Sequence, residues 1–207
     1  KKNGDINTAE IKKASEIIGN AIKHKKNFHI VVVKSTVVPG TTEQIVEKTI
    51  KKIIKKKINF GVCMNPEFLR QGFAVNDFLN PDRIVVGSNS KITMNIINKL
   101  YKNFKCNKVN TTIKNAELIK YASNSLLATM ISFSNEISNI CEKTEGTDVN
   151  TVLEGVHLDK RLTQRINNKY YSPGIISYLK AGCGFGGSCL PKDINALKIY
   201  ANKKKIK

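Results

Sequence analysis

Several features that define other classes of protein are absent from this 207-residue sequence. It has no tryptophan, and no stretch approaches the roughly 18 consecutive apolar residues that a transmembrane helix needs. The polar start KKNGDINTAE lacks the apolar core of a secretory signal peptide. The composition, 41% hydrophobic and 25% charged, is that of a globular chain with a sizeable core. We therefore expect a cytoplasmic protein without a membrane partner.

Cysteine pairs with metal-site spacing are missing as well. The cysteines are Cys63, Cys106, Cys141, Cys183 and Cys189, with no CxxC pair and no histidine at zinc-ligand spacing. Their odd number in a chain of this length favours free thiols in a reducing compartment. We expect no metal site, and we expect all of them except Cys189 to be small core residues.

Acidic residues are few, since 16 Asp and Glu stand against 35 Lys and Arg, for a net charge of +19. Such an excess is typical of proteins that bind polyanions. Only 4 of the basic residues are arginine, and no aromatic residues interleave the lysines to stack on bases. The basic charge is therefore best explained by a lysine-rich composition of a solvated surface. A nucleic-acid-binding module is the alternative, and it depends on charge alone.

The hydrophobic pattern predicts an α/β fold. Helical spacing over residues 7–26 precedes a β-branched run at 30–33, and further strands are predicted at 60–63 and 83–87. Helices are predicted after the first and third of these strands, at about 42–57 and 91–104. This alternation predicts βαβ units with a parallel sheet, which we assign to residues 1–111.

A long helix opens a second, helical domain over residues 112–207. From Lys114 to Lys143 the apolar residues step by 3 or 4 positions. They are Ile119, Ala122, Leu126, Met130, Phe133, Ile137 and Ile140. A helix capped by Asp148, a loop over 163–174 and a last helix from about Lys192 complete the prediction.

The glycine-rich segment at 182–189, GCGFGGSC, formally contains GxGxxG. No β-branched strand precedes it and Pro191 follows closely, so it is not a dinucleotide-binding fingerprint. The glycines favour an exposed loop around Cys189, just before a helix whose dipole favours a thiolate. A surface turn with an incidental cysteine is the alternative.

Two further groups of polar residues are candidates for a site. Lys120 and Asn124 share one face of the long helix, where they could hold an oxyanion or form an ordinary solvated face. The loops at 34–36 and 65–69 each follow a predicted strand, at the sheet edge where open α/β sheets bind ligands. Simple capping turns are the alternative for both loops.

Five sequence blocks extend these observations over nearly the whole chain. They are KSTVVPGTT (34–42), NPEFLRQG (65–72), NPDRIVVG (80–87), AELIKYASNSLLA (116–128) and GFGGSCLPKD (184–193). In this order they resemble the UDP-glucose/GDP-mannose dehydrogenase family, and the last block is the most specific. The resemblance implies the second half of a Rossmann-like domain followed by a central dimerisation domain. The family's GxGxxG half and its C-terminal nucleotide-binding domain have no counterpart in these residues.

The resemblance implies an NAD-dependent enzyme that oxidises the C6 alcohol of a nucleotide sugar twice. UDP-glucose would give UDP-glucuronate, and GDP-mannose is the alternative substrate. Cys189 would form a thiohemiacetal and then a thioester. The other catalytic roles implied are oxyanion stabilisation by Lys120 and Asn124, general base catalysis or water positioning by Asp193, and binding of the catalytic water by Thr36 and Glu67.

The resemblance also implies binding residues. Those beside NAD are Ser35, Thr36, Gln71, Cys189 and Lys192. Those beside the nucleotide sugar are Glu67, Phe68, Leu69, Lys120, Asn124, Arg161, Tyr178, Leu179, Lys180, Gly184, Phe185 and Gly186. Arg161 matches an arginine that reaches the neighbouring subunit's substrate. The 114–143 helix would form the core of a homodimer, although its apolar stripe could equally be buried within one chain.

Three departures from the family pattern qualify these expectations. Gln71 stands where family members often have glutamate, and the segment between Arg161 and Tyr178 is longer than the commonest spacing. Without the GxGxxG half and the C-terminal domain, we expect these residues alone to bind NAD poorly and to turn over little or no substrate. A non-catalytic relative is the remaining alternative.

Overall fold

The computed structural model describes residues 7–55 and 59–206, which form two compact units. The first unit extends to Ala122 and includes the chain from Ala196 onwards, and the second is Ser123–Asn195. Two helices, α5 (Ile113–Glu142) and α7 (Cys189–Lys203), contribute residues to both units.

The first unit has the expected α/β architecture. Its elements are α1 (Ala9–Ile22), β1 (His29–Val33), a π-helical turn (Thr42–Glu47) that continues as α2 (Lys48–Ile54), β2 (Phe60–Met64), α3 (Ala74–Leu79), β3 (Arg83–Gly87), α4 (Lys91–Leu100) and β4 (Asn107–Thr111). The predicted end of the second helix near Lys57 lies outside the described residues. Strand β4 and helix α3 were not predicted, because NKVNT has a single apolar residue and α3 is less than two turns long.

The sheet has the order β1-β2-β3-β4. Strands β1 and β2 are parallel, as are β3 and β4, whereas β2 meets β3 through one antiparallel pair, Met64 opposite Gly87. Because β1 and β2 point the same way, the loops that follow Val33 and Met64 leave from the same sheet edge. These are the two loops that sequence analysis selected as candidates for a ligand site.

Apolar side chains are buried on both faces of this sheet. Val31, Ile50 and Val85 belong to one cluster, beneath α1 and α2, and Val86 and Ile97 belong to the other, beneath α4. Residues such as Ile50 and Val85 are 0% exposed. The β-branched strands are thus covered by helices on both faces, as the alternating pattern predicts.

Gly87 allows α5 to begin directly against the sheet. A Cβ atom at this position would lie 2.5 Å from the Ala116 side chain and 2.8 Å from the Thr112 carbonyl oxygen. Any side chain at residue 87 would therefore push the start of α5 away from β3.

The second unit contains most of α5, α6 (Val149–His157), a short hairpin of β5 (Gln164–Ile166) and β6 (Lys169–Tyr171), and the 3-10 turn Gly174–Tyr178. Asp148 caps α6 as expected, by accepting the Thr151 N–H at 2.7 Å. The hairpin replaces the predicted loop: Asn167 and Asn168 have φ values of +49° and +59°, as the turn of a two-residue hairpin requires. Helix α7 begins at Cys189 rather than near Lys192, since Pro191 is compatible with a first helical turn.

The cysteines differ in their surroundings. Cys63 is buried, and burial raises the pKa of its thiol to about 11. Cys106 and Cys141 are half-buried. The prediction that Cys183 is a core residue is wrong, because it lies exposed in the glycine-rich loop, as does Cys189 at the start of α7. None of the described helices combines the length and apolar character needed to cross a bilayer.

Replacing Ile50 by alanine tests the core. We expect Ile50→Ala to lower the free energy of unfolding by about 3 kcal/mol, because its side chain is fully buried. Ile17→Ala, at a helical position that is 62% exposed, should change it by less than about 0.5 kcal/mol. Urea unfolding of both variants measures the difference, and equal losses would contradict the assignment of the core.

Candidate active site

The loop after β1 carries Ser35 and Thr36. Ser35 is exposed and Thr36 is half-buried, whereas the next residue, Val37, is 5% exposed and belongs to the core. Farther along, the hydroxyl of Thr41 donates to the Val38 carbonyl at 2.7 Å and closes a turn. The loop is thus anchored after Thr36, which leaves Ser35 and Thr36 accessible at the sheet edge.

Lys120 and Glu67 form an ion pair in the first unit. The Lys120 side chain is only 8% exposed, and its Nζ lies 3.1 Å from Glu67 Oε1. The other carboxylate oxygen of Glu67 accepts the Leu69 N–H at 2.7 Å. Lys120 Nζ also lies 5.3 Å from the centre of the Phe68 ring. The alternative of a solvated lysine face on α5 is therefore wrong, because Lys120 is buried against the loop after β2.

A second ion pair holds the rest of that loop. Arg70 donates to Asp77 from its backbone N–H at 2.9 Å, from Nε at 3.0 Å and from its terminal nitrogen at 2.7 Å. These hydrogen bonds lower the pKa of Asp77 to about 2. Gln71 is exposed, and Gly72 has a φ of +83°, which favours glycine at this turn. Glu67, Phe68 and Leu69 therefore belong to a loop fixed at both ends.

A network beneath this loop was not found from the sequence. Asn65, which is 2% exposed, accepts hydrogen bonds from Lys34 Nζ at 2.8 Å and from the Tyr101 hydroxyl at 2.6 Å. Its amide group donates to the Val85 carbonyl at 2.7 Å. Burial lowers the pKa of Lys34 and raises that of Tyr101. Lys34 and Asn65 stand in the quoted blocks, but nothing local connects them with Tyr101.

In the second unit, Asp193 is buried and bound by two donors. It is 1% exposed, its Oδ2 accepts from Asn124 Nδ2 at 2.7 Å, and its Oδ1 accepts from Lys192 Nζ at 2.7 Å. Cys189 lies one helical turn before Asp193 on α7 and is exposed. The only partner recorded for its sulfur within the described residues is the Ser188 hydroxyl, 3.8 Å away. An accessible thiol thus lies on the same helix face as a buried carboxylate.

The glycine-rich loop before Cys189 is held at two points. The Gly182 N–H donates to Asn135 Oδ1 at 3.0 Å, and the Leu179 carbonyl lies 2.9 Å from His157 Nε2. The φ values of Gly184 and Gly187 are +78° and +74°, which glycine adopts without strain. Among the remaining predicted binding residues, Leu179 is buried, Tyr178 and Phe185 are half-buried, and Lys180 and Gly186 are exposed.

Arg161 is paired with a carboxylate close to it in the sequence. Its side chain is 83% exposed, and it binds Asp159, two residues earlier, through Nε at 2.9 Å and through its backbone N–H at 2.8 Å. Among the residues that the structure describes, no three His, Cys, Asp or Glu side chains are grouped so as to hold a metal ion.

Comparison with known proteins identifies the family. Residues 1–105 match the NAD binding domain of the UDP-glucose/GDP-mannose dehydrogenase family, and residues 114–207 match its central domain. The chain belongs to this family. NAD is therefore the cofactor that the matched N-terminal domain implies.

Relatives support the assignment across most of the chain. UDP-glucose 6-dehydrogenase TuaD of Bacillus subtilis is 42% identical over 95% of this chain and 39% of its own length. UDP-glucose 6-dehydrogenase of Rickettsia prowazekii is 40% identical over 98% of this chain and 43% of its own length. The chain thus spans less than half the length of these relatives.

Solved structures agree with the fold. A UDP-glucose dehydrogenase from Pyrobaculum islandicum superposes with a TM-score of 0.87 at 38% identity, over 99% of this chain and 44% of that one. A GDP-mannose dehydrogenase from Pseudomonas aeruginosa superposes with a TM-score of 0.72 at 36% identity, over 100% of this chain and 45% of that one. The expected Rossmann-like architecture is therefore confirmed.

The Arg70 ion pair predicts a pH dependence. Because the folded-state pKa of Asp77 is lowered from 3.8 to about 2, its stabilising contribution is present above the unfolded pKa and is lost as the pH falls toward 2. Arg70→Gln should return this pKa toward its ordinary value, and the free energy of unfolding should then depend less on pH at acid pH. NMR titration of Asp77, with Arg165→Gln as a control that leaves it unchanged, measures the shift. An unaltered titration in Arg70→Gln would contradict the pairing.

Proposed function

We propose that this chain is part of an NAD-dependent nucleotide-sugar 6-dehydrogenase that converts UDP-glucose to UDP-glucuronate. The observation that carries the proposal is the arrangement on α7, where exposed Cys189 lies one turn before buried Asp193. A thiol nucleophile and a carboxylate on one helix face suit covalent oxidation of an aldehyde. The names of the relatives above favour a sugar nucleotide as the source of that aldehyde.

The residues present fit the nicotinamide end of NAD. Ser35 and Thr36 are accessible at the carboxyl end of β1, the edge at which sheets of this type bind nucleotides. Gln71 is exposed on the neighbouring loop, and Lys192 completes the set of binding residues that we propose. When bound, NAD accepts one hydride in each of the two oxidations.

Cys189 carries the covalent part of the proposed reaction. The alcohol at C6 first loses a hydride and a proton, which gives the aldehyde. The thiolate of Cys189 then attacks this carbon, and a C–S bond forms as the carbonyl oxygen takes up a proton. The thiohemiacetal loses a second hydride and its hydroxyl proton to become a thioester. Water adds to the thioester carbon, the C–S bond breaks, and the carboxylic acid leaves while the thiol is regenerated.

The remaining residues stabilise charge and move protons. The ammonium of Lys120 and the amide of Asn124 donate to the oxygen on C6 as negative charge develops there. Asp193 accepts a proton from the attacking water or orients it. Thr36 and Glu67 hold that water, and the hydrogen bond from the Leu69 N–H keeps the Glu67 carboxylate oriented.

For the nucleotide sugar, we propose contacts with the loops on either side of this chemistry. Glu67, Phe68 and Leu69 belong to the fixed loop after β2, and Tyr178, Lys180, Gly184, Phe185 and Gly186 follow the 3-10 turn. Buried Leu179 would contribute through its backbone. GDP-mannose is the second candidate substrate, favoured by the structural similarity to a GDP-mannose dehydrogenase.

We also propose a homodimer formed through α5, with Arg161 reaching toward the partner's substrate. Part of the stripe on this helix is exposed: Leu126, Phe133 and Ile140, seven residues apart, are 54%, 47% and 60% exposed. Large apolar residues at this spacing are the pattern that a packed helix partner covers. Free cysteines and the use of NAD support a location in the reducing cytoplasm.

Replacing the nucleophile tests the proposed chemistry. In the full-length protein, Cys189→Ser should lower release of UDP-glucuronate by about 1,000-fold or more, because the serine hydroxyl is a weaker nucleophile and would form an oxygen ester in place of the labile thioester. Cys183→Ser removes another exposed thiol of the same loop and should leave the rate unchanged. NADH formation and chromatography of the product measure both. Parental rates of acid formation in Cys189→Ser would exclude the thioester mechanism.

A charge in the apolar stripe tests the dimer. Phe133→Asp should halve the molar mass in light scattering, because a buried carboxylate at a helix interface is costly. Ser132→Asp places the same charge at an adjacent exposed position and should leave the mass unchanged. A parent protein that is already monomeric, or a Phe133→Asp variant of unchanged mass, would refute the proposed interface.

A further inference from the structure

Glu117 is a buried carboxylate for which sequence analysis found no role. It lies in the second turn of α5 and is 0% exposed. Its Oε2 accepts the Gly40 N–H at 2.5 Å, and its Oε1 accepts the Thr42 N–H at 2.8 Å. Both oxygens are therefore engaged by the backbone of one loop, from residues more than 70 positions away in the chain.

The two N–H groups lie at the first residue of the helical segment that becomes α2 and two residues before it. This segment begins at Thr42, and the first N–H groups of a helix have no partner within it. Burial raises the pKa of Glu117, and the hydrogen bonds from Thr42 and Gly40 oppose that rise by favouring the carboxylate. The Glu117 carboxylate thus satisfies the open Thr42 donor of this helix and also the Gly40 N–H that precedes it.

The same loop carries Thr36. Val37 anchors it in the core, and Gly40, whose φ is +97°, is held by Glu117. Thr36 therefore precedes a segment that is fixed by a core contact and by a carboxylate. A loop anchored in this way has little freedom to change the direction of the Thr36 side chain.

The residue that holds this loop lies one helical turn before Lys120. Both are on the face of α5 that packs against the sheet, where Ala116 contacts the position of Gly87. Lys120 in turn binds Glu67 on the loop after β2. One turn of α5 thus makes direct contact with both loops at the sheet edge.

We infer that Glu117 is a positioning residue that fixes the Thr36 loop relative to Lys120 and Glu67. The inference depends on the proposed function, because it concerns the separation of groups that would act on the C6 oxygen and the catalytic water. Glu117 itself has no access to substrate. Its effect is expected on the chemical steps rather than on binding of the nucleotide.

The test is Glu117→Gln in the full-length protein. The amide keeps the shape of the side chain but presents an NH2 group to one of the two N–H donors, so one hydrogen bond is lost. We expect kcat with UDP-glucose to fall about 10-fold or more and KM to change less than about 2-fold. Amide hydrogen exchange at Gly40 and Thr42 should accelerate, while peptides elsewhere in the sheet keep their protection.

Two controls separate positioning from loss of stability. Glu47→Gln removes the same charge from a carboxylate that pairs with Lys51 on the surface, and it should change neither kcat nor exchange at Gly40. Ile97→Val destabilises the other buried cluster of the sheet, which does not include Val37, and at a matched melting temperature it should retain its kcat. If Glu117→Gln does not fold, Glu117→Asp keeps the charge but is too short to reach both N–H groups, and it should lower kcat in the same way.

The possible results are distinguishable. An active parent whose Glu117 variant keeps its kcat overturns the inference, and so does unchanged exchange at Gly40 and Thr42. A fall in kcat equal to that of the matched Ile97→Val variant also overturns it. A parent that oxidises neither UDP-glucose nor GDP-mannose overturns the proposed function itself, and the positioning role with it.

Discussion

Helix α5 carries the buried polar side chains Glu117, Lys120 and Asn124, and each needs a partner because an unsatisfied buried polar group costs about 1–3 kcal/mol. Glu117 finds its partners in the backbone of the loop after β1, and Lys120 finds its partner in Glu67. Asn124 donates to Asp193. The partners all belong to segments that carry candidate site residues. Within the first unit, Glu117 and Lys120 therefore fix two loops against α5, and within the second unit Asn124 fixes Asp193.

The same constraint applies to Asp193. A carboxylate that is 1% exposed is stable only with donors at both oxygens, and Asn124 and Lys192 supply them. Because Asp193 is thereby fixed on α7, the position of Cys189 one turn earlier is fixed too. The thiol itself stays exposed, which is what a nucleophile that must reach a substrate requires.

Sequence patterns predicted the parts of the fold that depend on local periodicity. The β-branched run at 30–33 and the long apolar stripe of α5 were sufficient for β1 and for a helix of 30 residues. Strand β4 was not predicted, because NKVNT is exposed except at its last residue and has no apolar alternation. The β5–β6 hairpin did carry a signal, the Asn167-Asn168 pair, since asparagine tolerates positive φ.

The candidate site was only partly predictable, because burial of a polar residue is a long-range property. Spacing placed Lys120 and Asn124 on one face but favoured a solvated surface, and only the packing of that face against two other segments reverses this. Glu117 and Tyr101 gave no signal, since their hydrogen bonds join residues 77 and 36 positions apart.

The glycine-rich block correctly predicted that Cys189 is exposed. The prediction for Cys183 was wrong, because its loop does not pack into the core. The helical period of the α5 stripe was evident in the sequence, but its burial depends on elements far away in the chain. They cover part of the stripe and leave Leu126, Phe133 and Ile140 exposed. Burial of an apolar helix face is thus a long-range property in the same way as burial of a polar residue, and periodicity alone predicts neither.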